Sequence, residues 1–372
     1  MPFKNPEGAA ERSKLEDSTM PLSAANSQRR FQEVYSDVGS LPETLQAALF
    51  PHLRNCPPGK GIMHIGETLN NRWVIRGLLG SGGYGQIYCA KDRKTRDVVA
   101  VKVEPTKRRG KTVRRMILEQ RVLMKMQGKP HTPVMYGSGV VGNMNYIVMQ
   151  VMSANVGDLR KRSPMRRLSI TTTARIMMQA IAALKELHLI GYLHRDVKTT
   201  NMCFGITEAS KHRLLLFDFG LVRRFRTADG KIRKKRDRAG FRGTLRYVSP
   251  RVHDREEQGP GDDLLSLFYA MIEMIRREVP WRHLKDHDKI KAAKLHLTVD
   301  DFRKVSEYVG EPMQEYGRIV VVMSVYDEPN YGELQSLMKE LAGGKELNAP
   351  YDWENEYADV VAEVDLNRSL GL

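Results

Sequence analysis

A chain of 372 residues with 41% hydrophobic and 28% charged content has the balance of a soluble globular protein, long enough for two cores or one bilobal unit, and does not read as fibrous. Its longest apolar runs, such as Ile147 to Val151 and Ile319 to Met323, fall far short of the roughly 20 residues that cross a bilayer, and no basic-then-apolar leader opens the chain. The net charge of +16 suits an acidic partner, whether nucleic acid, lipid or protein, and its location must decide among them.

Residues 1–68 mix Ser, Pro, Glu, Lys and Ala without sustained periodicity, the composition of an extension that buries too little apolar surface to order itself. Within it Leu41, Leu45, Leu49 and Leu53 recur every four residues, which fits a short helix docking on the body or a partner, or one that forms only transiently. Order is expected from near Trp73. Trp73 to Leu79 reads as a strand, Gln86 to Ala90 as a second and Val98 to Val103 as a third. Between the first two lies Gly80-Ser81-Gly82-Gly83-Tyr84-Gly85. Dinucleotide-binding folds share this glycine pattern, but there a helix opens at the last glycine, whereas Gly85 leads into a strand. The result is a hairpin whose glycine tip can fold over phosphates. The Gly-Lys-Ser/Thr of a Walker loop is missing.

Lys102 stands inside the apolar run Val99-Ala100-Val101-Lys102-Val103. Either its head reaches water at the strand end or a carboxylate meets it, because a buried ammonium without a partner is costly. Glu119 is the candidate partner, since Thr112 to Gln127, with Val113, Met116, Ile117, Val122, Leu123 and Met126, reads as a helix packed on the sheet. Val134 to Val141 and Asn145 to Val151, turning at Gly142-Asn143, complete a small, mainly antiparallel sheet.

From Gly157 the pattern becomes helical. Ser169 can cap a helix over Ile170 to Leu189 that ends at Gly191. The next loop carries His194-Arg195-Asp196-Val197-Lys198-Thr199-Thr200-Asn201, and a short hairpin later the strand Leu214 to Phe217 delivers Asp218-Phe219-Gly220, with Gly220 free to turn at once. A carboxylate, a lysine two positions on, an amide oxygen and a second carboxylate are the parts of a phosphoryl-transfer site. Asp262-Asp263 and the apolar Leu264 to Ile272 open a central buried helix whose acids suit the dipole at its N-terminus. Helical patterns continue through His287 to His296, Phe302 to Val309, Gln314 to Val325 and Tyr331 to Leu341, and Gly343-Gly344 end the compact part, leaving 346–372 as a tail.

Much of the positive excess falls in Arg223 to Arg246, directly after Asp218-Phe219-Gly220 and with only Asp229 and Asp237 to offset it. Phe225 and Phe241 are the only aromatics of that run, too few for a reader of single-stranded nucleic acid, so an acidic protein partner is favoured, with a merely solvated loop as the alternative. Lys234-Lys235-Arg236 also fits a nuclear import patch. Three separated cysteines, Cys56, Cys89 and Cys203, make neither a disulfide framework nor a CxxC site, which suits reduced thiols in the cytoplasm or nucleus.

With these motifs in order from Gly80 to about Leu341, the chain resembles a eukaryotic protein kinase. The resemblance implies an α+β bilobal protein kinase fold over 69–345, with an N-lobe at 69–150 of antiparallel sheet and one helix, and a larger, mainly helical C-lobe at 151–345. It implies ATP and Mg²⁺ as cofactors: Gly80, Gly82 and Gly85 over the phosphates, Lys102 and Glu119 as the ion pair that grips them, Asp196 as base, Lys198 as charge neutraliser, Asn201 and Asp218 as metal ligands. Lys198 and Thr244 resemble the serine/threonine branch. Ala239 to Tyr247, Asp262 to Tyr269, Leu123 to Lys129 and Pro350 to Glu354 are similar to the casein kinase I group, and within it to the tau-tubulin kinase-like members, with Ser249-Pro250-Arg251 where most kinases carry Ala-Pro-Glu. Further implied are Met149 as the gate at the back of the ATP pocket, Gln150 to Met152 as the hinge, Ala100 above the adenine and Cys203 below it. Thr199-Thr200 departs from the usual proline-containing pair. The group reads acidic or phosphorylated substrates through basic side chains; Arg246 matches one such position and Arg242 lies close by, but Ala239 and Ala292 hold the others. A monomeric serine/threonine kinase acting on such protein substrates is expected, away from membranes and nucleic acid. The alternatives are a catalytically silent scaffold, against which Lys102, Asp196, Asn201 and Asp218 all speak, and a binder of an acidic polymer through the basic run.

Overall fold

The computed structural model describes residues 62–82, 85–108, 110–299 and 310–355. The expected helices at Leu41 to Leu53 and Phe302 to Val309 lie outside the described residues. Strand β1 (Thr68–Leu69) leads into β2 (Trp73–Ser81), β3 (Gln86–Asp92) and β4 (Val98–Pro105), a small ribbon of β5 (Lys107–Arg108) and β6 (Lys111–Thr112) precedes helix α1 (Arg115–Met126), and β7 (Met135–Val141) and β8 (Met144–Gln150) follow. The large sheet is antiparallel throughout, in the order β1-β2-β3-β4-β8-β7.

Alternation along β4 sorts its side chains between two cores. Val99, Val101 and Val103 join Trp73, Tyr88, Tyr146 and Val148 on one face; Ala100 joins Ile147, Met149 and the α1 residues Met116, Val122, Leu123 and Met126 on the other. Lys102 and Glu104 share the second face with Ala100, which turns them towards α1. The helix starts three residues later than its periodicity suggests, because Lys111 and Thr112 pair in the ribbon. Val113 therefore precedes the helix, and Ile117, expected on the sheet, is 37% exposed.

The second lobe is built from α2 (Val156–Arg162), α3 (Ile170–Leu189), α4 (Pro250–His253), α5 (Pro260–Arg276), α6 (His287–Val299), α7 (Glu311–Val322) and α8 (Tyr331–Leu341). Ser169 caps α3 as expected, its Oγ accepting the Thr172 N–H at 3.0 Å, and Gly191 leaves the helix at φ +82°. The α7 helix begins earlier than its apolar pattern, at Glu311 after the cap residue Gly310 and with Pro312 in the first turn, where a missing N–H costs nothing. Every residue of α5 from Pro260 to Ile275 is buried, so this helix is the axis on which the lobe packs. Two short ladders decorate it: β9 (Tyr192–Leu193) pairs with β12 (Arg223–Arg224), and β10 (Met202–Phe204) pairs with β11 (Leu214–Leu216).

Both domain boundaries move outward. Met63 is buried and donates its N–H to the Tyr88 hydroxyl at 2.9 Å, so order begins before residue 69. At the other end the compact part does not stop at Gly343-Gly344. Arg175 in α3 is fully buried and needs acceptors, which the chain after α8 provides: Ala349 O at 2.6 Å and Pro350 O at 2.8 Å. Asp352, also fully buried, accepts the Ser169 N–H and Oγ–H at 2.7 Å and the Thr172 hydroxyl at 2.6 Å. The segment expected to be a tail is part of the lobe as far as it is described. No helix among the described residues is long and apolar enough to cross a membrane.

Candidate active site

The loop between β9 and β10 is anchored from below by α5. Asp263 accepts the N–H groups of His194 (2.7 Å) and Arg195 (2.8 Å) and faces His188 Nε2 at 2.9 Å. Burial alone would raise its carboxyl, but His188 and these amides hold it below the usual range. The sequence suggested that the paired acids answer the helix dipole. Asp262 does close the helix start, accepting the Gly259 N–H at 2.7 Å, whereas Asp263 fixes the main chain that carries Asp196.

Asp196 is held at both oxygens. Lys198 Nζ donates to Oδ2 at 2.6 Å and the Thr244 hydroxyl to Oδ1 at 2.7 Å, while Lys198 also reaches Thr244 Oγ1 at 3.2 Å. Asn201 gives its amide nitrogen to Asp196 O at 2.9 Å, which leaves the amide oxygen as the atom it can offer a cation. Thr199 is buried and donates to Glu273 at 3.2 Å, so the first residue of the unusual threonine pair ties the loop to α5.

Lys102 meets its expected partner. Its Nζ donates to both Glu119 oxygens at 2.8 Å and to Asp218 Oδ1 at 3.0 Å, so groups from the sheet, from α1 and from the second lobe converge at one point. Burial opposes the charge on each. Lys102 is nevertheless held above its ordinary value by Glu119 and Asp218, and Asp218 well below the usual carboxylate range by Lys102 and Arg115. Burial pushes the Glu119 carboxyl up to about 7 against the pull of Lys102.

Three features of this cluster are not legible in the sequence. The left-handed residue of the turn is Asp218, at φ +64°, not Gly220. A Cβ at Gly220 would lie 2.1 Å from Arg115 Nε, so a side chain there would push the guanidinium aside. Arg115 itself donates to Asp218 Oδ1 at 2.9 Å and Oδ2 at 3.2 Å; its place one helical turn before Glu119, on the same face, was the one available signal. Glu104, two positions after Lys102 and hence on the same strand face, is buried with its Oε1 4.0 Å from Arg115 Nε. The Phe217 N–H donates to Asn201 O at 3.2 Å, joining the two segments that carry Asn201 and Asp218, and a carboxylate with an amide oxygen is a hard donor set that fits Mg²⁺.

Of the glycines, Gly80 pairs with Ile87 in the hairpin and Gly82 donates its N–H to Gly85 O at 2.9 Å. Gly85 packs so closely on β4 that a Cβ would meet Val103 O at 2.2 Å. Ala100 and Met149 are cross-strand partners and share an apolar cluster with Met152, Leu79 and Ile87. Gln150 binds Val134 twice, through its N–H at 2.9 Å and its side-chain oxygen at 2.8 Å. Cys203 is buried on β10 opposite Leu215, and burial pushes its thiol up.

The two arginines expected to read substrate anions fare differently. Arg246 is engaged within the fold, because α5 carries an acid that needs neutralising. It pairs at 2.9 Å with Glu273, a buried carboxylate that also accepts from the Tyr247 hydroxyl at 2.5 Å. Arg242 is exposed and turns back to its neighbour, Phe241 O, at 2.8 Å. Nearby, Arg223 and Arg236 share Glu257 at 3.0 and 2.6 Å.

The protein kinase domain model matches residues 73–341. A Caenorhabditis elegans protein whose name places it with casein kinase I is 45% identical over 293 residues, which cover 78% of this chain and 86% of that protein. A Dictyostelium discoideum protein named as a serine/threonine-protein kinase is 33% identical over 291 residues, 78% of this chain and 58% of its own. The serine/threonine-protein kinase spe-6 of Caenorhabditis elegans is 30% identical over 306 residues, 80% and 79% of the two chains. The cleft just described is therefore the kind that works on ATP with a divalent metal, and the chain belongs to the protein kinase family as a serine/threonine kinase of its casein kinase I group.

Proposed function

We propose that the protein transfers the γ-phosphate of Mg²⁺-ATP to Ser and Thr hydroxyls of protein substrates that are acidic or already phosphorylated near the target. The observation that carries this reading is the convergence of Lys102, Glu119 and Asp218 within 3.0 Å. Asn201 and Asp218 would hold Mg²⁺, which supplies positive charge to the phosphates. Gly80, Gly82 and Gly85 cover the phosphates, Lys102 held by Glu119 orients them, and Ala100, Met149, Gln150, Met152 and Cys203 line the adenine. Asp196, oriented by Lys198 and Thr244, accepts the proton of the attacking hydroxyl, and Lys198 neutralises charge beside it. Asp196→Asn is expected to lower kcat about 10²- to 10⁴-fold, the usual worth of a general base, with ATP affinity little changed. Activity like that of the wild type in this variant refutes the assignment.

The substrate class rests on the basic run, in which Arg224, Arg233, Lys234, Arg238 and Arg242 are exposed around the site. A peptide array with and without phosphorylated positions tests it; indifference to acidic flanks removes it. Within the group, the stretches Ala239 to Tyr247 and Pro350 to Glu354 support a tau-tubulin kinase-like placement. A monomer working in the cytoplasm or nucleus, without membrane or nucleic-acid engagement, completes the reading. The same exposed cations favour one second reading, a binder of acidic polymers. RNA affinity in the nanomolar range at physiological salt, without affinity for acidic peptides, would establish it instead.

A further inference from the structure

Helix α1 turns two charged residues to the cleft, Arg115 and Glu119, and β4 faces them with Lys102 and Glu104. Lys102 and Glu119 form one pair at 2.8 Å. The other two meet only at the long limit of an ion pair, 4.0 Å. Arg115 gives its Nη2 to both oxygens of Asp218, at 2.9 and 3.2 Å, while its Nε stands 4.0 Å from Glu104. The Glu104 carboxylate is 1% exposed and accepts no hydrogen bond from the described residues, a costly state for a buried acid. Asp218 is crowded instead. Of the roughly four acceptor positions of a carboxylate, one is used by Lys102 and two by Arg115. A metal ion arriving at this ligand has to displace a cation already there. Lys102 is tied to both oxygens of Glu119. Arg115 has somewhere to go, because its guanidinium lies beside Gly220, which has no side chain to confine it, and Glu104 Oε1 already stands 4.0 Å from its Nε.

We propose that Arg115 shuttles between two carboxylates, resting on Asp218 in this structure and moving onto Glu104 when Asp218 takes a divalent metal, so that Arg115 and Glu104 set the metal affinity of the site from opposite directions. The proposal rests on the reading of Asp218 as a metal ligand. No covalent bond changes; one cation on Asp218 replaces another, and Glu104 receives the charge that leaves. Arg115 acts through Asp218 and is a positioning residue.

The test uses the full chain, Mn²⁺ as the metal and ADP as the nucleotide, with free Mn²⁺ followed by electron paramagnetic resonance. Arg115→Met removes the competing cation and is expected to lower the Mn²⁺ concentration for half-saturation about tenfold, the scale of one unit charge a few ångströms away under nearly water-like screening. Glu104→Gln removes the alternative partner and is expected to raise it by a similar factor. The double variant should follow Arg115→Met, because Glu104 acts only through Arg115. Arg115→Lys, a milder change, should shift in the same direction as Arg115→Met by less. A residue that merely props α1 would move both single variants the same way. Equal-direction shifts, no shift, or additive effects overturn the proposal, with metal-free ADP binding reporting that each variant is folded. Wild-type protein that binds Mn²⁺ with ADP no better than Asp218→Asn would sink the reading of the site itself, whereas a wild type that binds metal without opposed shifts in the variants sinks the shuttle alone.

Discussion

Replacing Thr244 by valine tests how Asp196, the proposed base, is held. Its hydroxyl donates to Asp196 Oδ1 at 2.7 Å and accepts from Lys198 at 3.2 Å, so valine keeps the shape and deletes one hydrogen bond to a charged carboxylate. Such a bond is worth about 1.5–3 kcal/mol, which corresponds to about a 10- to 150-fold loss in kcat if it all falls on the chemical step. Lys198 remains at 2.6 Å from Oδ2, so the carboxylate keeps its cation and what is lost is orientation. Thr244 touches none of the residues assigned to the nucleotide phosphates, so the KM for ATP should stay put. Steady-state phosphorylation of an acidic peptide by wild type, Thr244→Val and Thr244→Ser separates the two parameters, and the serine variant should recover most of the rate. A valine variant within about threefold of wild type, or a serine variant as poor as valine, would show that Asp196 is oriented by something else.

The glycine loop offers a steric test. Gly85→Ala drives a carbon to 2.2 Å from the Val103 carbonyl, and overpacking against backbone typically costs about 1–3 kcal/mol, so the KM for ATP should rise about tenfold or more. Gly80→Ala, with nothing within 4 Å of the added carbon, should raise it less. Asp352→Ala leaves three buried donors around Ser169 and Thr172 without their acceptor and is expected to cost about 3 kcal/mol or more in urea unfolding; truncation after residue 345 should do the same, and a stable truncated domain would restore the shorter boundary. Lys294 is fully buried, its Nζ donating to Leu245 O at 2.8 Å and Val248 O at 2.6 Å, and burial pushes its ammonium down to about 7. A lysine of the unfolded chain titrates near 10.4, so between about pH 7 and 10 the unfolded state binds the extra proton and the folded state gains stability as pH rises. The difference in urea midpoint between wild type and Lys294→Met should therefore grow in favour of wild type across that window; parallel curves would refute the low ammonium.

What the sequence made legible was local or periodic. The helical pattern over Tyr331 to Leu341 coincides with α8, whose start the structure explains by Asn330 accepting the Glu333 N–H, and α3 was legible because Ser169 caps it. Lys102 could be paired in advance because a lysine between valines announces its own need. Arg115 gave only its place one turn before Glu119: its partner lies 103 residues away, and an arginine in the first turn of a helix reads as a solvated residue. The same holds for Arg246, whose match to a substrate-reading position of the casein kinase I group suggested a substrate contact while the acid that claims it sits in the middle of an apolar helix. The Pro350 to Trp353 stretch has no period to detect; Tyr351 and Trp353 stack at 4.8 Å and Arg175 lies 4.1 Å over Tyr351, contacts that arise only once α3 is in place.

The fate of the basic run bears on how a substrate is recognised. Arg223 and Arg236 are bound to Glu257, which is 8% exposed, and Arg246 to Glu273, which is 2% exposed. Breaking either pair would strand a buried carboxylate, so these arginines are fixed in the fold. The pairs of Lys231 with Asp229 and of Lys235 with Glu256 are open to solvent on both sides and are worth little, so an incoming acid can replace the partner at small cost. Arg224, Arg233, Lys234, Arg238 and Arg242 are exposed as well. A run that the sequence presents as uniform thus divides into cations that hold the segment beside Asp196 and cations that make a field over it. In the proposed function, exposed cations of this kind attract acidic substrates without demanding one spacing of phosphate to target. On the proposed reading, that division allows a position that carries Ala239 in place of a basic side chain to be tolerated.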